Sequence, residues 1–350
     1  MSALILIVGI SLLILLHEAG HFFAARHYGI KVEEFGFGFP PRMFAIKGKE
    51  TLYSINWLPF GGFVRLYGES EAGLALKAQK EKDFTLQKQS SFVHRSIWQR
   101  FVVISAGVAI NFLLGWLILS SVYMLGAEKA IVVGQVADES PASEAGVEAG
   151  DVILGYESAQ SFIAAVKAGE GAEISFDIER GGETKSISLT PRTDEAVVKE
   201  QGAIGVALSD AGLEKLPVHK ALWEGLKNSV VIMAEIIKSL VLLIASLFTS
   251  GSVAENVVGP VGVFGVANDL GRLGLVYVLQ LVGLISLNLA VLNILPIPAL
   301  DGGRVLFLAI EKIKGSKLNA NREMLANGIG FAVLLLLMIA LTVRDVVQLF

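Results

Sequence analysis

His17-Glu18-Ala19-Gly20-His21 puts two imidazoles and a carboxylate within five residues of a 350-residue chain that has only five histidines. On a helix, residues four apart differ by about 400° of rotation, so both rings lie on nearly one face, one turn apart. Such a face can bind one zinc through two ring nitrogens, with Glu18 beside it as general base for an attacking water. The bland alternative, histidines anchoring a polar helix end, leaves three ionisable residues in a membrane segment without a function.

Two histidines do not hold a catalytic zinc; a third ligand and an open position are needed. His27, His94 and His219 offer no matching spacing, and the chain has no cysteine, which removes thiolate nucleophiles and zinc–thiolate sites. The remaining candidate is Asp301, which ends the 28-residue uncharged run Leu273–Leu300. An acid in that position is costly unless it is paired or metal-bound. Pro296 and Pro298 break the helix ladder just before it, and Asn293 can satisfy backbone groups freed there. The competing role for Asp301 is to cap the helix that follows.

These residues need a scaffold, and composition points to a membrane. The chain is 53% hydrophobic and only 18% charged, with net charge −4, which excludes a disordered chain and argues against nucleic acid as a partner. Uncharged runs cover Phe101–Ala127 (27 residues), Leu273–Leu300 and Met324–Val343 (20 residues), and Met1–Leu16 opens a further span. That first run lacks the basic start and small-residue cleavage site of a signal peptide. Asn228–Phe248 is apolar but interrupted by Glu235 and Lys238, and reads as an interfacial or re-entrant helix. Lys and Arg outnumber Asp and Glu in 26–100 and reverse in 128–214, so the first segment is expected inside and the second outside. Four spans with both termini outside satisfy every loop, and bring His17, His21 and Asp301 to the same, inner half of the membrane. Five spans would separate them.

The acidic outer segment contains Ser140-Pro141-Ala142, Ala145-Gly146-Val147 and Gly150-Asp151-Val152-Ile153-Leu154, a string that resembles the PDZ signature, followed by a helix and a hairpin. One PDZ-like α+β domain is expected. On the inner side, residues 32–66 alternate glycine, aromatic and polar positions and read as short strands in the headgroup zone. Leu74–Gln89 is polar and reads as a loop or helix. The resulting division is 1–127 (membrane core with a cytoplasmic β-rich loop), 128–192 (PDZ-like domain), 193–272 (linker and interfacial helix) and 273–350 (membrane core with the last two spans).

HExxH in the first span, Asn293 to Gly303 as NxxPxPxxDGG in the third, and an outer PDZ-like domain between the second and third together resemble the site-2 protease family. Supporting strings are Phe35-Gly36-Phe37-Gly38, Pro59-Phe60-Gly61-Gly62-Phe63-Val64, Ala109-Ile110-Asn111-Phe112 and Gly259-Pro260-Val261-Gly262. Ala106-Gly107-Val108 stands where the family usually has Ala-Gly-Pro. The resemblance implies a multi-pass protease of the bacterial cytoplasmic membrane, with one zinc held by His17, His21 and Asp301 and with Glu18 as catalytic base. It implies membrane lipid as surroundings and a single-span membrane protein as substrate, such as an anti-sigma factor or a signal-peptide remnant. A helical substrate hides its carbonyls and must unwind before attack. Gly36, Gly38, Gly61 and Gly62 mark backbone where it could add as a strand, with Leu52–Trp57 as the candidate docking edge. Asn288, Asn293, Pro296 and Pro298 are candidates for contacting its exposed backbone. The rival reading is a catalytically inactive, membrane-embedded PDZ scaffold, which would keep the fold and lose a ligand or the base; all four residues are present.

Overall fold

A computed structural model describes residues 2–69, 90–193, 202–249 and 259–347; the Leu74–Gln89 reading lies outside them. In chain order the elements are α1 (Ser2–His27), β1 (Val32–Lys47), β2 (Leu52–Leu66), α2 (Ile97–Leu125), β3 (Ala127–Val136), α3 (Pro141–Glu144), β4 (Val152–Ile153) and α4 (Ala159–Ala168). They continue with β5 (Ile174–Arg180), β6 (Glu183–Leu189), β7 (Val206–Leu213), α5 (Val218–Thr249), α6 (Gly262–Arg272), α7 (Leu275–Ile294), α8 (Asp301–Lys314) and α9 (Ala320–Val347).

Four helices among the described residues are long and apolar enough to cross a membrane: α1, α2, α7 and residues Asn321–Val347 of α9. The 26 residues of α1 extend about 39 Å at 1.5 Å per residue, enough for a hydrocarbon core of about 30 Å. The ambiguous stretch 228–248 is part of α5, a single continuous helix of 32 residues. Its two interrupting charges form an exposed pair, Lys238 Nζ to Glu235 Oε2 at 3.5 Å, so they mark a polar face and not a break.

The described residues fold as two compact units, one drawn from within 1–3, 120–224 and 265–280 and the other from within 4–119, 225–264 and 281–350. The first contains an antiparallel sheet in the order β6-β5-β4-β3-β7. Ile131, Val133, Phe162, Val166, Phe176 and Ile178 fill its core. Ser140 and Ser158 cap α3 and α4 by accepting from the amides of Ser143 and Ser161. Asp151 is fully buried, and Arg180 grips it with Nε and Nη2, each at 2.7 Å from a different carboxylate oxygen. That grip holds the Arg180 guanidinium above its usual pKa. The fifth strand differs from expectation, because β7 comes from residues assigned to the linker after 192. It pairs with β3 from Val136↔Val206 to Ala127↔Leu213. Ala207, Ser209, Ala211 and Gly212 give β7 no alternating apolar signal, which is why the sequence hides it.

In the second unit, β1 and β2 bend so sharply that each pairs more than once. Glu34, Phe35, Gly36 and Phe37 face Arg65, Val64, Phe63 and Gly62 on one side and Leu52, Tyr53, Ser54 and Ile55 on the other. Residues 52–55 are in turn paired with Lys47, Ile46, Ala45 and Phe44. Leu52 to Ile55, most of the Leu52–Trp57 stretch, are therefore interior. Within this sheet the open edges are 42–47 and 62–66. One carboxylate ties its segments together: buried Glu34 accepts from Arg42 at 2.7 Å and from Ser54 at 2.8 Å, and faces Arg65 at 3.2 Å.

Candidate metal centre and active site

Helix α1 carries His17, Glu18 and His21, and it packs on α2 through small residues. A Cβ on Gly20 would meet the Ala106 carbonyl at 2.7 Å. A Cβ on Gly107 would strike His21 Nε2 and come within 2.7 Å of His17 Cε1. Glycine inside a helix costs roughly 1 kcal/mol relative to alanine, and at 107 it is the residue that leaves room for both rings. His21 Nδ1 donates to the carbonyl of Val103 at 2.8 Å. A carbonyl only accepts, so the ring proton sits on Nδ1 and the Nε2 lone pair points inward.

Asp301 reaches the histidines because α7 stops at Ile294 and the chain doubles back. The N-cap of α8 is Leu300, without a side-chain cap, so Asp301 is the first helical residue and its carboxylate is not spent on capping. Cβ atoms on Gly302 and Gly303 would collide with the carbonyls of Leu295 and Ile297, so the return needs both glycines. Ala299 adopts φ +77°, a left-handed conformation disfavoured for alanine. It is held there by donating its amide to Asn327 Oδ1 of α9 at 3.0 Å.

His17 Nε2, His21 Nε2 and Asp301 Oδ2 form a triangle with all three edges 3.2 Å. A tetrahedral site with zinc bonds of about 2.0–2.1 Å has ligand–ligand edges near about 3.3 Å. Asp301 Oδ2 is buried and accepts no hydrogen bond although two ring nitrogens face it. The donor set, two imidazoles and a carboxylate, suits zinc, and among the described residues these three form the group whose ligand atoms could hold a metal ion. A cavity of about 330 Å³ opens beside them, lined by Glu18, His21 and Asp301 on one side and Gly62 to Leu66 on the other. A Cβ on Gly62 would sit 3.2 Å from Glu18 Cγ, so the open strand edge runs directly past Glu18. Glu69 and Arg304, paired with each other, close the far wall.

A match to the description Peptidase family M50 covers residues 5–337. The chain belongs to peptidase family M50. It is 32% identical to a protein of Clostridium acetobutylicum named as a zinc metalloprotease, over 99% of this chain and 97% of that one. It is 31% identical to the regulator of sigma-W protease RasP of Bacillus subtilis, over 97% of this chain and 96% of the relative. A zinc metalloprotease RasP of Geobacillus kaustophilus is 28% identical over the whole chain and 98% of its own length. This M50 protein is a zinc metalloprotease of the site-2 type, with four apolar helices able to span a membrane.

Other residues expected to contact substrate fall in different surroundings. Gly62 lines the M50 cavity. Gly36 is filled by the Phe63 ring of its own sheet, and a side chain on Gly38 would strike the Leu58 carbonyl. Gly61 takes φ +91° at the approach to the open edge. Asn288 and Pro296 are exposed, and Asn293 and Pro298 half-buried, outside the residues that line the cavity. The sequence reading did not single out the Val103 carbonyl, Asn327 or the Glu69–Arg304 pair, and it noted Gly107 only within the Ala106-Gly107-Val108 string. Only Gly107 carried a usable signal, a glycine within an apolar helix.

Proposed function

We propose that His17, His21 and Asp301 hold the zinc and that Glu18 is the general base of an intramembrane endopeptidase. The observation that carries this reading is the 3.2 Å triangle of ligand atoms with Glu18 on the adjoining cavity wall. Zinc, when bound, polarises the scissile carbonyl and acidifies the attacking water. Glu18 takes the proton from that water as oxygen bonds to the carbonyl carbon, and returns it to the amine as the C–N bond breaks. His21 stays oriented through its bond to Val103.

The substrate is a single-span membrane protein, such as an anti-sigma factor or a signal-peptide remnant, unwound near the cleavage point. A relative named for regulating sigma-W supports that class. The unwound segment adds to the open edge Gly62–Leu66, which offers unpaired backbone groups along the wall facing Glu18. The protein spans the bacterial cytoplasmic membrane with both termini outside, the β1–β2 sheet inside, and the β3–β7 domain, PDZ-like in its sequence signature, outside.

Metal content and cleavage of a membrane substrate by three variants test this reading. Glu18→Gln keeps about one zinc per chain and loses cleavage, whereas His17→Ala and Asp301→Ala lose the metal. Full zinc in both ligand variants, or normal turnover by Glu18→Gln, rejects the assignment.

A further inference from the structure

Two buried polar groups lack a hydrogen-bond partner, one on a corner of the triangle and one on α2. His17 Nδ1 makes no hydrogen bond, and neither end of the Asn111 amide on α2 does, although Asn111 is only 1% exposed. An unpaired buried polar group costs about 1–3 kcal/mol, so two such groups in one apolar seam need a reason.

Their placement supplies one. Gly107 abuts both rings, and Asn111 is the next turn along nearly the same face of α2. His21 is matched with Val103, four residues before Gly107, at 2.8 Å. His17, one turn away on α1, is then matched with the turn on the other side of Gly107, where Asn111 stands. The same face goes on to meet α7, because a Cβ on Gly115 would touch Leu287. Ser286 Oγ donates to the backbone carbonyl of Asn111 at 2.7 Å. That interhelical bond needs only a backbone carbonyl, so it does not explain an amide side chain at 111. Leucine would fill the seam at less cost.

We propose that Asn111 is a positioning residue for the metal centre: its Oδ1 accepts, through one water, the Nδ1 proton of His17. The inference rests on His17 being a zinc ligand through Nε2, as proposed above. A neutral imidazole ligating through Nε2 carries its proton on Nδ1, and metal-bound histidines almost always give that proton to an oxygen. Val103 serves His21 directly, and Asn111 serves His17. A buried water between two polar groups is ordinary provided it has at least two partners.

Zinc affinity of the purified full chain in detergent, read by competition with a chromogenic chelator, tests this. Asn111→Leu should weaken zinc about 10–100-fold, the usual loss when the partner of a metal-bound histidine is removed, and should shift the visible spectrum of the cobalt-substituted protein. Asn111→Asp keeps an acceptor and should bind zinc at least as tightly as the native chain. Ser286→Ala should leave affinity unchanged. Should the leucine variant fail to fold, Asn111→Met, apolar but flexible, is read the same way. Native affinity in a folded leucine or methionine variant overturns the proposal, as does equal loss in Asn111→Asp, which would mean packing alone. His17→Ala separates the two readings. If it keeps its zinc, the ligand assignment fails; if it loses zinc while Asn111→Leu does not, only the role of Asn111 fails.

Discussion

His21 gives its Nδ1 proton to the carbonyl of Val103 at 2.8 Å, so α2 fixes which nitrogen of an α1 side chain faces Asp301. The second helix thus contributes to the proposed metal site with a backbone atom and with the absence of a side chain at Gly107.

That absence can be tested. Gly107→Ala places a methyl against both imidazoles and should cost most of the bound zinc, a drop of at least about tenfold in affinity. Gly115→Ala meets the Leu287 side chain and the Gly283 carbonyl of α7, and neither imidazole. It should lower thermal stability by about 1–3 kcal/mol, as overpacking does, and keep its zinc. Metal analysis beside thermal melts separates the two, and similar zinc content in both variants would contradict the role given to Gly107.

The strand edge makes a second prediction. Proline at one of positions 63, 64 or 65 removes an amide that faces the cavity and should reduce cleavage of a helical substrate with zinc retained. A substrate already weakened by helix breakers should suffer less, because it needs less help to unwind. Tyr53→Pro strikes a doubly paired position and should instead disrupt the sheet, seen as protease nicking within 32–66. Equal loss on both substrates from every edge proline would argue against strand addition.

Orientation is open to a direct measurement. A reporter active only outside the cytoplasm should work when fused within 128–214 and be silent within 312–322. Activity at both sites would require a fifth crossing, and α5 would then be the segment to reconsider.

The Asp151–Arg180 pair predicts how the β3–β7 unit fails. Asp151→Ala removes the buried carboxylate while the guanidinium keeps Glu148 and the Gly146 carbonyl, so the loss should be about 1.5–3 kcal/mol, as for a hydrogen bond to a charged group. Residues 128–213 of the full chain should then exchange amide hydrogens much faster, while zinc content stays unchanged. Native protection in that variant would show the pair to be dispensable.

Much of this was legible before any coordinates. HExxH carries its own geometry, since four residues on a helix fix two rings on one face, and an acid after 28 uncharged residues needs a partner. The four spans follow from charge-free length. Pairing was not legible, because residues 32–66 repeat glycine and aromatics with no clean period, so nothing in them marks Leu52 to Ile55 as interior and Gly62–Leu66 as edge. Strand β7 hid behind small residues. The Val103 carbonyl carried no signal at all, since every residue has one.

The three metal-binding atoms of the proposed site come from opposite ends of the chain: His17 and His21 lie in the first helix, and Asp301 begins the last turn into α8. Synthesis therefore delivers the proposed base and two proposed ligands early, and the third only when most of the polypeptide has been made. On that assignment, a nascent chain threading into the bilayer has no complete centre until Asp301 has been made. A chain truncated anywhere before Asp301 should therefore be inert, and late synthesis of the third ligand should keep the protease silent until most of its membrane core exists.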